Sequence, residues 1–224
     1  VSDTAGAKQS VLEAARMALP STVEFLGGHP LVRPAGPDVR HADPTLFRHR
    51  TWYLTATPEV RPETIDLVSS MVDVTEGVAC FVDPAEHDSW CAGVEQLPAL
   101  LAVALVETVG KEGGWREMQR LAAADFRDTC RLASDDPVTR SDEARALRQA
   151  LTPWLDSCMD SLQTFRTALM ADDIREMSAI LKHAKDIRDA WVAAEDQGFP
   201  DEHAAVIDSP KPSLTARFPF RRRM

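Results

Sequence analysis

Three residues that can bind metal ions or move protons follow one another at steps of four: His87, Cys91 and Glu95. Residues four apart share one face of a helix, so the three form a polar stripe. An imidazole, a thiol and a carboxylate are all ligands of divalent cations. The end members, however, lie roughly 12 Å apart along a helix axis, too far to share one ion. We therefore predict no metal site, and a pair of these residues together with His29 remains the alternative.

His29 is the second candidate for chemistry, because it follows a short apolar run and the pair Gly27-Gly28. A neutral imidazole is a suitable base near neutral pH. The sequence contains no G-x-G-x-x-G fingerprint, no P-loop, no G-x-S-x-G elbow and no H-E-x-x-H motif. The common signatures of dinucleotide, phosphate, serine-hydrolase and zinc-protease sites are thus missing from this sequence.

The predicted elements that must position these residues change from strands to helices along the chain. Strand-like runs at residues 22–26, 51–55 and 77–82, with a helical pattern opening at Pro62, predict a small parallel α/β layer. Asp83-Pro84 has the residues preferred as cap and first position of a helix, and it opens a long helical pattern that reaches Gly110. Long helical patterns with apolar seams fill most of the rest and exceed what the sheet needs for cover, which favours a helical domain that dimerises. Packing within the chain is the alternative use of these seams.

Composition narrows the class of protein. The formal net charge of −10 and pI near 5.1 argue against nucleic acid as a partner. Four scattered cysteines suit reduced thiols in a cytoplasmic protein, and no run of 18 apolar residues predicts a membrane span.

We predict a truncated α/β domain at 1–83, a helical dimerisation and substrate domain at 84–198, and an extended arm at 199–224.

Several short motifs resemble, in order and spacing, the prephenate/arogenate dehydrogenase family. They are Gly27-Gly28-His29-Pro30, Leu46-Phe47, Glu86-His87-Asp88, Leu97-Pro98 and the run from Phe126 to Ala133 that ends in Asp136-Pro137. The likeness spans roughly residues 1–195. It implies a fold of the α/β plus all-α class, with a remnant of a parallel Rossmann-like sheet followed by a larger helical dimerisation domain.

The resemblance also implies roles for individual residues. His29 matches the family histidine that takes the proton of the substrate hydroxyl, and Arg131 matches the arginine that holds a substrate carboxylate. Arg33, Gln96 and Arg127 are further candidates for substrate binding, with an ion pair as the alternative for Arg127. We predict His29 and Glu95 as the catalytic pair.

This sequence also departs from the family pattern. Gly6 stands where the family has a catalytic serine, and the family's Ser-His-Leu-Pro-His reads Glu95-Gln96-Leu97-Pro98-Ala99. The glycine-rich half of the Rossmann domain is missing from the sequence, so we expect no NAD or NADP unless that half is supplied elsewhere.

The departures lead to one hypothesis and two alternatives. The hypothesis is a cofactor-independent enzyme that acts on a cyclic or aromatic carboxylic acid by proton transfer, decarboxylation, dehydration or cyclisation. The first alternative is a prephenate/arogenate dehydrogenase whose nucleotide-binding half is missing from this chain. The second is a non-catalytic, dimeric binding or partner protein.

Overall fold

The computed structural model describes residues 1–32 and 39–196 of the 224-residue chain. Arg33 and the predicted arm at 199–224 therefore lie outside the described residues. The chain divides into two compact units, Val1–Asp156 and Ser157–Met224. The predicted domain boundary between residues 83 and 84 stays a prediction.

A three-stranded sheet organises the first unit. Its strands are β1 (Gly27–Pro30), β2 (Thr51–Thr55) and β3 (Val78–Phe81), in the order β1-β2-β3. β2 and β3 pair in parallel through the crossover helix α2 (Pro62–Val74), as predicted, with Tyr53 opposite Cys80. β1 instead runs antiparallel to β2, with His29 opposite Tyr53. The small sheet and its mostly helical surroundings confirm the predicted fold class.

β1 begins later than the sequence pattern predicts, and its two glycines lie inside the strand. A Cβ atom on Gly27 would come within 2.4 Å of the Thr55 hydroxyl, and one on Gly28 within 2.6 Å of the Asp3 carbonyl oxygen. The glycines are therefore required by close packing of neighbouring chain segments and not by a turn. This shift places His29 within the strand.

Helices make up most of the described chain. Besides α2, the first unit contains α1 (Gln9–Ala18), α3 (Pro84–Cys91), α4 (Leu97–Gly110), α5 (Trp115–Met118), α6 (Ala124–Thr129) and α7 (Pro137–Ala146). The last two helices are α8 (Arg148–Met170) and α9 (Ile174–Asp196). Short 3-10 turns occur at Val39–His41 and Arg131–Ser134.

α3 and α4 form one continuous helical stretch with a change of register in the middle. Asp83 caps its start by accepting the N–H groups of Ala85 and Glu86, as predicted. Between the helices, Ala92–Gln96 forms a π-helical turn. Pro98 follows this turn and lacks an N–H group, which removes one α-helical hydrogen bond and favours the wider register. The turn displays Glu95 and Gln96 one after the other towards the same cavity.

Apolar side chains remain exposed along several helices of the single chain. Between Pro84 and Gly110 the stretch is long and apolar enough to cross a membrane by length and composition, and 28% of the relevant window is buried. In the second unit, the exposed residues on the predicted apolar seam include Leu162, Leu169, Leu181, Ile187 and Trp191. Such contiguous apolar faces are typical of surfaces that pack against another chain.

Candidate functional site

A cavity of ≈ 360 Å³ opens between β1, the π-helical turn and α7. His29, Glu95 and Gln96 line it together with Arg140 and Glu143. The remaining lining residues are Thr4, Gly6, Ala7, Pro30, Val32, Phe47 and Leu147. The structure thus brings three of the predicted site residues to one space, where their catalytic and binding roles stay predictions.

His29 is held from behind by a chain of hydrogen bonds. Its Nδ1 lies 2.9 Å from Nε2 of His87, and Nδ1 of His87 lies 3.2 Å from an oxygen of Asp88. The Asp88 carboxylate can only accept, so His87 carries its proton on Nδ1 and presents a bare Nε2. His29 therefore donates from Nδ1 and keeps the lone pair on its Nε2 free for a substrate.

The environment keeps His29 neutral. Burial lowers the pKa of His29 to about 4, with further contributions from the neighbouring His87 and Lys8. Burial likewise raises the pKa of the Cys91 thiol, to about 12. Near neutral pH the site therefore contains an uncharged imidazole and an uncharged thiol. The first has an unprotonated nitrogen available to accept a proton, whereas the second is inert as a nucleophile.

Asp88 also fixes the segment that precedes α1. It accepts hydrogen bonds from the backbone N–H groups of Lys8 (2.6 Å) and Gln9 (2.9 Å), and so caps α1 from another helix. The ammonium group of Lys8, itself buried, contacts Asp3 at 2.7 Å and the carbonyl oxygen of Gly28 at 2.5 Å. These bonds hold one wall of the cavity against β1. The sequence analysis used Asp88 only as part of the Glu86-His87-Asp88 motif.

The opposite wall is rich in carboxylates. Arg140 pairs with Asp135 through Nε (3.0 Å) and through Nη2 (2.5 Å), and with Glu143 at 3.0 Å. The amide of Gln96 donates to Glu143 at 3.1 Å. Burial, followed by repulsion from Glu143, raises the pKa of Glu95 against the opposing effects of His87 and Arg140. Arg140, the one arginine among the described residues that line the cavity, is already paired with its own carboxylate partners.

The arginines predicted for substrate binding are placed differently. Arg127 on α6 and Arg131 in the following 3-10 turn are exposed, and neither lines the cavity of the single chain. Arg33 lies outside the described residues. Arg140 lines the cavity, and the substrate-binding roles of Arg127 and Arg131 stay predictions. The available sequence signal for Arg140 was its place one turn into a helix that opens with Asp136-Pro137.

The comparisons with known proteins assign this architecture to a family. The family described as "Prephenate dehydrogenase, nucleotide-binding domain" matches residues 1–80, and "Prephenate dehydrogenase, dimerization domain" matches residues 83–183. The chain therefore belongs to the prephenate/arogenate dehydrogenase family, as the motifs predicted. The second match supports a homodimer.

Individual relatives agree with this assignment. The chain is 26% identical over 211 residues to the prephenate dehydrogenase of Bacillus subtilis, covering 94% of this chain and 57% of that protein. It is 28% identical to the cyclohexadienyl dehydrogenase of Zymomonas mobilis, covering 86% and 65%. The chain thus spans less than two thirds of the length of either curated relative.

Solved structures show the same fold. The arogenate dehydrogenase of Synechocystis superposes with a TM-score of 0.76 at 26% identity, covering 85% of this chain and 69% of that chain. The Aquifex aeolicus prephenate dehydrogenase in complex with hydroxyphenyl propionate and NAD+ gives 0.77 at 23% identity, covering 84% and 65%.

One prediction is wrong in the light of these matches. We expected no cofactor, because the sequence lacks a glycine-rich fingerprint. The match of residues 1–80 to a nucleotide-binding domain contradicts this expectation. The fingerprint marks only the pyrophosphate end of such a site, so its absence was a poor guide to the rest.

Proposed function

We propose that this chain supplies the substrate side of a nicotinamide-dependent dehydrogenase for a cyclohexadienyl carboxylic acid, with His29 as the base. The observation that carries the proposal is the orientation of His29. Its Nδ1 is engaged by His87, while its other nitrogen faces a cavity of a size suited to one small ring compound.

The residues around His29 fit the redox end of the cofactor. A Cβ atom on Gly6 would meet only the His29 ring, at 3.8 Å, so this side of the imidazole is open to a flat ring. Thr4 and Ala7 continue the same small-residue wall. The described residues contain no glycine-rich turn from a strand into a helix, and we assign them no contact with the pyrophosphate.

The cofactor and the residues of the chain have separate roles in the reaction. A bound nicotinamide supplies a hydride acceptor. His29 takes the hydroxyl proton of the substrate at Nε2, which prevents a positive charge from building up on the oxygen as it becomes a carbonyl. His87 and Asp88 hold the tautomer that makes this possible, and the apolar residues Phe47 and Leu147 limit the access of water.

The carboxylates of the cavity favour one substrate class. Glu95 and Glu143 attract an ammonium group, whereas a neutral keto group at the same position gains no such attraction. Of the substrates named by the relatives, arogenate carries such an ammonium group on its side chain and prephenate does not. We therefore propose an amino-acid substrate, a homodimer in solution and a location in the cytoplasm.

Calorimetric titration of the chain with arogenate and with prephenate, each with NAD+ or NADP+ present, tests this proposal. We expect arogenate to bind more tightly, and Glu143→Gln to narrow the difference. Glu107→Gln, which changes an exposed acid on α4, is the matched control. Failure of both compounds to bind contradicts the proposal. Binding without any reduction of the dinucleotide supports the non-catalytic alternative.

A further inference from the structure

Three ligand atoms converge behind the cavity. His29 Nδ1, His87 Nε2 and Cys91 Sγ all lie within 4.8 Å of one another. The nitrogen atoms are 2.9 Å apart, and the sulfur lies 3.8 Å from the first and 3.6 Å from the second. The atoms come from β1 and from two successive turns of α3, so the fold itself assembles the triangle.

The triangle has nearly the dimensions of a zinc site. Tetrahedral Zn²⁺ holds nitrogen at about 2.05 Å and sulfur at about 2.3 Å, which separates two nitrogens by about 3.3 Å and a nitrogen from a sulfur by about 3.6 Å. The observed edges differ from these values by only a few tenths of an ångström. A small rotation of the His29 ring about its side-chain bonds would open the shortest edge.

The surroundings also resemble those of a metal-binding histidine. Metal ligands of this type donate their second ring nitrogen to a carboxylate, which fixes the tautomer and increases the basicity of the other nitrogen. Asp88 has this position relative to His87, at 3.2 Å, and both side chains are at most 2% exposed. The Cys91 sulfur is also buried, at 5% exposure, so the pair of ligands on α3 is shielded from competing solvent.

We propose that His29, His87 and Cys91 form a binding site for a thiophilic divalent cation, represented by Zn²⁺, with an open fourth position for water. This replaces our sequence-based expectation of no metal. The earlier objection concerned Glu95, which lies one turn too far along the helix. The structure supplies the third ligand from β1 instead.

Loading of this site changes the protonation of His29. The cation takes the lone pair of Nδ1, so the imidazole proton moves from Nδ1 to Nε2. The Cys91 thiol loses its proton to solvent, and one cation enters for each proton released. Nε2 then carries hydrogen and cannot accept a proton from a substrate. We infer that the metal-bound form is inactive as a dehydrogenase, an inference that rests on the proposed function of His29.

Equilibrium dialysis of the untagged full chain against Zn²⁺, followed by elemental analysis, tests the site without any activity assay. We expect one equivalent per chain, and at least a ~100-fold loss of affinity in Cys91→Ser, since even second-layer partners of a metal contribute 10- to 100-fold. Cys130→Ser is the matched control, because the Cys130 thiol lies outside the triangle and contacts the Arg127 carbonyl oxygen.

Co²⁺ provides a second readout that does not depend on the variants folding well. Bound to the unaltered chain, it should give the intense near-ultraviolet absorption of a cobalt–thiolate bond, and the band should persist in Cys130→Ser. Binding of less than one equivalent, absence of the thiolate band, or unchanged affinity in a folded Cys91→Ser protein would each overturn the site. Activity that survives full occupancy would overturn only the inhibitory role.

Discussion

His29 and His87 meet through their ring nitrogens at 2.9 Å, with the two rings nearly perpendicular at 77°. One residue comes from a strand and the other from a helix that begins more than fifty residues later. The contact couples the residue that faces the cavity to a fully buried partner. The position of the buried His87 ring therefore determines which nitrogen of His29 carries the proton.

His87 can be tested as a positioning residue for His29. His87→Phe keeps a ring of similar size but removes the acceptor, so His29 is free to adopt the unproductive tautomer. We expect turnover to fall about 100-fold, at the lower end of general-base effects, with little change in KM. His87→Gln retains an acceptor oxygen and should recover part of the lost turnover. Equal turnover in the two variants would show that the ring only fills space.

Asp88 should be among the most important residues for stability. Asp88→Ala removes the acceptor for three N–H groups, the buried ones of Lys8 and His87 and the partly buried one of Gln9. We expect the free energy of unfolding to fall by about 3 kcal/mol, measured by urea denaturation. Exposed Glu107→Ala should change it by less than about 0.5 kcal/mol. A similar small effect at both positions would contradict the proposed network.

The pKa of Glu95 makes a prediction about pH. Its pKa is raised by burial in the folded state, so the folded protein takes up this proton more readily than the unfolded chain. Glu95→Gln should therefore be more stable than the unaltered chain at pH 7, and this advantage should shrink as the pH falls through the folded pKa. Thermal unfolding of both proteins between pH 7 and pH 4 measures the difference. An advantage that grows with acidity would show that the sign is wrong.

The π-helical turn depends on a glycine. A Cβ atom on Gly93 would come within 2.9 Å of the Trp154 indole, whose N–H donates to the Ser89 carbonyl oxygen. Gly93→Ala must displace the indole, and we expect a loss of about 1–3 kcal/mol from overpacking. Gly110→Ala has no neighbour within 4 Å and should be neutral or slightly stabilising. Urea denaturation distinguishes the two, and equal stability would remove the steric argument.

Much of the architecture could be predicted because it depends on local signals. The helix start at Asp83, the parallel pair of strands and the long apolar seams all follow from spacing and capping residues. The antiparallel β1 could not be predicted in the same way. Its direction is set by close contacts of Gly27 and Gly28 with Thr55 and Asp3, which are distant in sequence.

The site was predictable only in part for the same reason. His29 and Glu95 could be selected from motif and residue type, and the structure places them at one cavity. The hydrogen bond between His29 and His87 arises from tertiary packing. The same packing brings Nδ1 of His29 close to the Cys91 sulfur. Helical spacing alone suggested a different trio on one stripe. Arg140 was missed because its ion pairs with Asp135 and Glu143 form only in the folded chain.

Asp88 has a consequence for the order in which the protein assembles. Its bond to Lys8 joins residues 80 positions apart, whereas α8 and α9 need only neighbours in sequence. Closing so long a loop is entropically unfavourable until other contacts exist. In a pulsed hydrogen-exchange experiment during refolding, we expect the amides of Lys8 and Gln9 to gain protection after those within α8 and α9. The cavity wall that Asp88 holds would then be one of the last parts of the protein to form.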